Sequence, residues 1–461
     1  MTTQPLGDVA DLVRGVAFAK EDKRHEYADG LIACLRTTNV QRTVEWDDLW
    51  FVPQAVAKRD DQIVRSGDIL ISTANSYELV GKVAMVTSMP HRSTLGAFIS
   101  LIRPKPHILA SYLYYQLSSH PVQAAIRACA STTTNISNVS TKKLAAIDVT
   151  VADEATQAAT VAYLDEQLSR LDASVAALLR AQANLKRYRA SVLQAACEGR
   201  LVPTEAELAR AEGRTFETGA ELLQRILAER RTVWVGSYKE PSVVEPKELP
   251  ALAEGWTWAT AEQLCDFITK GTTPSASKLS ADGEVQFLKV YNLNDSGVLN
   301  HQHKPAFVAR ATHEGELARS KSLPGDVLMN IVGPPLGQVV VVPPELTEAN
   351  INQAIARFRC LLPAMSGYLV QVLLTKEVLD RSIRKAKTTV GQVNLTLEIC
   401  REIAIPLPPL AEQHRIVAEA DRRLSLIRGA EAQVAANLAR AKRLRQSILQ
   451  TAFAQPGSAG Q

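Results

Sequence analysis

A chain of 461 residues with 46% hydrophobic content is too long for one ordinary core, so two or more domains are expected. Its 52 Lys and Arg against 48 Asp and Glu leave a formal charge of +4, which permits a nucleic-acid partner without demanding one. The six cysteines form no CxxC pair and signal neither a zinc knuckle nor a disulfide framework. The start lacks a basic-then-apolar leader, and no apolar run approaches the ~20 residues needed to span a bilayer, so the expectation is a cytoplasmic protein with reduced thiols.

In chain order, residues 1–150 are rich in Val, Ile, Thr and turn residues and read as a β-rich domain. Within it "VRSGDILISTANSYELVGKVAMVT" (64–87) shows a Gly-Asp turn, an apolar strand, a polar loop and a Val-rich strand, and 109–128 reads as a short helix. Residues 151–200 carry one long helix. Its Val161, Leu164, Leu168, Leu171, Val175, Leu178, Gln182, Leu185, Arg189 and Val192 follow alternating steps of three and four, the spacing of a helix that buries a narrow stripe against one partner. Residues 201–254 form a polar connector with a helix near 217–231 and a Pro-punctuated linker. Residues 255–405 are β-rich again, with "SLPGDVLMNIVGPPLGQVVVVP" (322–343) resembling 64–87 and a short helix over 366–386. Residues 406–455 return to the heptad, now on Val417, Ala420, Leu424, Ile427, Glu431, Val434, Leu438, Ala441, Arg445 and Ile448, before a tail at 456–461 expected to be disordered.

The two halves repeat. "KRYRASVLQAA" (186–196) and "KRLRQSILQTA" (442–452) match at a shift of 256, and the same shift aligns Asn138 with Asn394, Gln157 with Gln413 and Asp165 with Asp421. The fold class expected is therefore α+β: two β-rich domains held apart by two long antiparallel helices in a coiled coil, related by an internal pseudo-twofold. Helices of roughly 40 residues extend about 60 Å, which suits a rigid spacer.

Catalytic signatures are missing. No GxGxxG opens a helix, and GxxxxGK[ST], GxSxG and HExxH are absent. "VGPPLG" (332–337) places Gly333 and Leu336 where an amino-methyltransferase needs a carbonyl side chain and an aromatic ring. "HQH" (301–303) lacks a third ligand in register, so no metal is expected, and "EPK" (245–247) is discounted as half a nuclease site.

"PLPPLAEQHRIVAEADRRL" (406–424), "GRLVPTEAELARAEGR" (199–214), "GWTWATAEQLCDFITKGTTP" (255–274) and "LGDVADLVRGVAF" (6–18) together resemble the specificity subunits of type I restriction–modification systems, with the parts in the same order along the whole chain. The first copy departs from the pattern: "DVTVADEATQ" (148–157) keeps Gln157 but lacks the prolines. The resemblance implies a non-catalytic subunit whose two target-recognition domains each bind one half of a bipartite site on double-stranded DNA. Two methyltransferase subunits would dock on the helices and two restriction–translocase subunits complete the complex. S-adenosylmethionine, ATP and Mg are expected on those partners and no cofactor on this chain. A coiled-coil adaptor without DNA specificity is the alternative reading.

Base readout needs Asn, Gln, Arg, Lys, Ser or Thr at a groove. The polar loops of the two domains supply the candidates Ser72, Thr73, Asn75, Thr133, Thr134 and Asn135 in the first, and Lys270, Thr272, Thr273, Lys387, Thr388, Thr389 and Gln392 in the second. Gln157, Arg189, Gln413 and Arg445 are candidates for contacts to partner subunits.

Overall fold

The computed structural model describes residues 2–133, 135–245, 249–386, 388–389 and 392–454. The chain divides into two compact units, Met1–Leu179 with Ala435–Gln461 and Arg180–Val434, so each unit takes half of each long helix. Among the described residues, no helix is long and apolar enough to cross a membrane.

The first unit is built on an antiparallel sheet in the order Ala10–Arg14, Ile99–Pro104, Ile69–Ser72, Val83–Met85. Its inner strand Ile69–Ser72 is buried throughout because the pleat sends Ile69 and Ile71 to one core and Leu70 to another. The first core is closed by helices Ala110–Ser118 and His120–Ala128, which contribute Leu113, Leu117 and Ile126. The single helix expected over 109–128 is therefore two. Ser119 turns extended just before the second, whose Pro121 lacks the amide needed to continue the first ladder. Thr2–Pro5 pairs with Asp148–Val151 and ties the two ends of the β-rich region together.

The second unit repeats this plan. Its five-stranded sheet runs Cys265–Lys270, Ile355–Cys360, Val327–Asn330, Val339–Val341, Gly297–Val298. Val327 and Met329 face one core while Leu328 faces the other. Thr257–Thr260 pairs with Ala404–Leu407, 256 positions beyond the closing strand Asp148–Val151 of the first unit. The helix expected at 366–386 again breaks in two, Ser366–Leu373 and Lys376–Lys385; here Thr375 turns its hydroxyl back onto the Gln371 carbonyl at 2.9 Å.

The Gly-Asp turns have one physical role in both units. Gly67 and Gly325 adopt φ of +87° and +84°. The aspartate that follows each is almost fully buried and bonds back to an amide three residues earlier, Arg65 N to Asp68 and Leu323 N to Asp326. Each aspartate also takes an arginine from the neighbouring strand, Arg103 on Asp68 at 2.8 Å and Arg359 on Asp326 at 2.7 Å. A buried carboxylate is thereby fully satisfied.

Helices span Glu154–Cys197 and Leu410–Phe453, 44 residues each. All twenty heptad positions named from the sequence are buried or half-buried. In the first unit Leu164 and Leu168 pack on Leu449, with Ile448 and Ala452 beside them. In the second, Val192, Leu193 and Ala196 share a core with Ile416, Ala420, Leu424 and Ile427. The start of one helix thus meets the end of the other, and the pairing is antiparallel. The missing prolines of the first copy are replaced by a cap: Asp153 accepts the Thr156 amide at 2.9 Å.

The connector is more structured than the polar segment expected. Thr204 and Thr218 each begin a helix with a capping box, Glu205–Glu212 and Gly219–Val233. Buried Glu205 receives Arg214 at 2.6 Å and Arg415 at 2.7 Å. Glu412, fully buried, accepts the Glu205 amide at 2.8 Å and the Trp256 indole at 3.0 Å, and this burial pushes its carboxyl above the usual range.

Candidate nucleic-acid interface

Strand register decides which loops meet. In the first unit Arg14 lies opposite Ser100, Ser72 opposite Ile99, and Ile71 opposite Val83, so the connections beyond Arg14, beyond Ser72 and before Ile99 emerge at one end of the sheet. The hairpin of Ser131–Thr132 and Ser137–Asn138 then pairs onto Ala74–Asn75, with Ser137 opposite Asn75. Two loops nominated separately, 72–78 and 131–138, therefore form one small sheet at this end.

Within it, Thr133 and Asn135 are exposed and Asn75 is half-buried, with its amide 3.3 Å from the Ser72 hydroxyl. Ser72 and Thr73 are buried. The expectation that these two contact DNA directly gives way to a supporting role: Ser72 ends the inner strand, and Thr73 donates its amide to Phe98 O at 2.9 Å and accepts from Val139. Thr134 lies outside the described residues. The sequence reading passed over three exposed apolar side chains here, Tyr77, Phe98 and Ile136, which are 53%, 64% and 49% exposed. Large apolar groups left in water beside hydrogen-bonding side chains suit contact with base faces and methyl groups. The signal available was Tyr77 in a loop otherwise built of Ser, Thr, Ala, Asn and Glu.

In the second unit Lys270 lies opposite Ala356, Asn330 opposite Ile355, and Met329 opposite Val339, which gathers the 270–275, 331–338 and 352–354 loops at the matching end. The hairpin of Thr388–Thr389 and Gln392–Val393 joins them through Gly333 N to Val393 O at 3.2 Å and Leu395 N to Ile331 O at 2.9 Å. Lys270, Thr272 and Thr273 are exposed together at this end. Among the described residues Lys270 has no ion-pair partner, and the Thr273 hydroxyl bonds Gln353. Thr388, Thr389 and Gln392 stand in the hairpin backbone, and Lys387 lies outside the described residues. Gly271 permits the crossing: a Cβ there would run into the carbonyl oxygens of Ile351 and Asn352, as one at Gly15 would into Gly96 and Leu95.

The docking candidates behave differently. Gln157 and Gln413 are buried, and each sends its amide nitrogen back to the carbonyl five residues earlier, Ala152 and Pro408. Gln157 also spans Leu109 N and His107 O. In place of the expected partner contact, both glutamines fasten the start of a long helix. Arg189 meets Glu431 of the facing helix at 2.9 Å and Arg445 meets Asp172 at 3.1 Å, so the seam arginines find their acids inside the chain. The exposed apolar positions on the helices are elsewhere, notably Tyr188 and Leu444, which correspond in the repeat.

Comparison with known proteins agrees with this layout. Residues 253–422 match the type I restriction modification DNA specificity domain. The chain is 24% identical over 459 residues to the type I restriction enzyme EcoKI specificity subunit of Escherichia coli strain K12, covering 97% of this chain and 87% of that one. It is 29% identical over 200 residues to the StySPI specificity subunit of Salmonella potsdam, 43% of each. A chain from a structure of the assembly of a type I R-M system shares the fold, with a TM-score of 0.60 at 18% identity over 98% of this chain and 97% of that one. With the repeat and the matching sheet ends, these matches agree: over 97% of its length the chain is similar to a type I restriction enzyme specificity subunit, and residues 253–422 match the DNA specificity domain of such subunits.

Proposed function

We propose that this chain is the DNA-reading, non-catalytic subunit of a type I restriction–modification complex in the cytoplasm. Each unit presents one end of its central sheet to one half of a bipartite duplex target, and the length of the helices sets the unread spacer between the halves. Two methyltransferase subunits dock on the long helices, around the corresponding positions Tyr188 and Leu444, and two restriction–translocase subunits complete the complex. S-adenosylmethionine, ATP and Mg belong to those partners. The observation that supports this reading best is the doubled convergence: two units bring matching loops to matching sheet ends, as two half-sites on duplex DNA require.

The test is selection of bound duplexes from a random library by the chain reconstituted with its methyltransferase partner. Two short conserved blocks at a fixed gap are expected. One contiguous block would refute the two-reader reading. Salt-independent binding or none at all would favour the adaptor, because phosphate contacts impose a steep salt dependence.

A further inference from the structure

His313 closes the short helix Arg310–Glu314 in the second unit and is fully buried. Its Nδ1 lies 2.7 Å from Asn350 Oδ1. The Asn350 amide nitrogen is already donated to Leu317 O at 3.0 Å and Ser320 Oγ at 3.1 Å, so Oδ1 is an acceptor and Nδ1 must carry the ring proton. In the neutral ring Nε2 then offers a lone pair. That atom is buried, makes no aligned hydrogen bond, and sits 3.1 Å from Glu348 Oε2 and 3.6 Å from Glu314 Oε1. A lone pair aimed at two carboxylate oxygens is repulsive unless a positive charge lies between them.

We infer that a divalent transition-metal ion, best matched by Zn²⁺, is held there by His313 Nε2, Glu314 and Glu348. Ligand bonds of about 2.0–2.1 Å in a tetrahedron put neighbouring ligand atoms about 3.4 Å apart, and the observed 3.1 and 3.6 Å bracket that edge. The three ligand atoms all lie within 4.8 Å of one another. The outer oxygens of the two carboxylates are engaged by Arg310 on Glu348 and Lys321 on Glu314, which turns the inner oxygens toward the imidazole. An outer partner on each ligand, Asn350 included, is the usual support of a metal site. The two basic groups balance the two carboxylates, and Glu284, bonded to the Arg310 amide at 2.7 Å, adds one more negative charge against the ion. Glu314 is exposed, which leaves the fourth position open to water.

The site is particular to one half of the repeat. The first unit has strand Ser93–Leu95 in place of Ala349–Ile351, with Arg92 and Thr94 where Glu348 and Asn350 stand. One ion per chain follows. It would pin the helix Arg310–Glu314 to the strand Ala349–Ile351, which runs on to Gln353 beside Thr273. The site stands whether or not the chain reads DNA.

The experiment strips the purified full chain with a chelator and titrates it with Zn²⁺ by calorimetry and with Co²⁺ by visible absorption. One ion per chain is expected, with the intense cobalt bands of four-coordination and a higher melting midpoint on refilling. Glu348→Gln keeps the shape and should weaken binding at least ~10-fold, the loss that even an outer partner causes; Glu314→Gln serves as a second variant should His313→Ala fail to fold. No saturable binding, a melting midpoint unmoved by chelator and Zn²⁺, or an affinity unchanged from the native chain in both glutamine variants would each overturn the assignment. The first two mean a proton at Nε2, and the third means that the ion binds elsewhere on the chain.

Discussion

Replacing Lys270 by Ala tests one proposed phosphate contact at the sheet end of the second unit. Lys270 ends its strand exposed, and among the described residues it is not committed to any acid, so its full charge is available to a phosphate. Each phosphate contact contributes about −0.9 to the slope of log affinity against log salt. Between ~50 and ~200 mM salt one contact is therefore worth a factor of 4 to the power 0.9, or about 3.5. Affinity of the methyltransferase-bound chain for labelled duplex, followed by fluorescence anisotropy across that range, should show the variant's deficit shrinking about 3.5-fold from low salt to high, and equally on specific and non-specific duplexes. Parallel salt curves would refute the phosphate contact. A deficit confined to one base pair would assign Lys270 to base readout instead, at ~1–3 kcal/mol of lost discrimination.

Gly271→Ala should destabilise the chain by about 3 kcal/mol, the upper range of overpacking, because the carbonyls of Ile351 and Asn352 are backbone atoms with little room to yield. Gly213→Ala, at φ +65° with nothing near the new methyl, should cost only about 1–2 kcal/mol; urea midpoints compare the two. Glu412 titrates above the ordinary carboxylate range because it is desolvated, so its favourable contribution is complete at acid pH and is lost as pH rises through its raised pKa. Urea midpoints measured from acid to neutral pH should therefore fall in the native chain relative to Glu412→Gln, and a constant difference would contradict the assignment.

The long helices were the most legible part of the chain, because their heptad stripe is a local pattern and their burial follows from it at every named position. The repeat was read colinearly from 138 onward, yet it begins at the first strand. Ile99–Pro104 and Ile355–Cys360 keep the 256 shift, whereas Ile69–Ser72 and Val327–Asn330 stand 258 apart. Two residues gained before that strand and two lost in the loop after it conceal the register. The helix breaks at Ser119 and Thr375 were missed because apolar periodicity continues through them, while the interruption comes from a ring without an amide and from a hydroxyl turned on its own backbone. Candidate loops could be named from composition, but strand register alone brings Asn75 beside Ser137 and buries Ser72. Gln157 and Gln413 repeat for a structural reason, which sequence identity cannot separate from a docking one.

The separation of the half-sites is the most direct test of the whole account. Four residues inserted at matching places in Glu154–Cys197 and Leu410–Phe453 add one helical turn, ~6 Å, to each arm. Methylated positions mapped on DNA treated with the reconstituted complex should then show both half-sites unchanged in sequence and moved apart by one or two base pairs. Half-sites still recognised at the original spacing would contradict it.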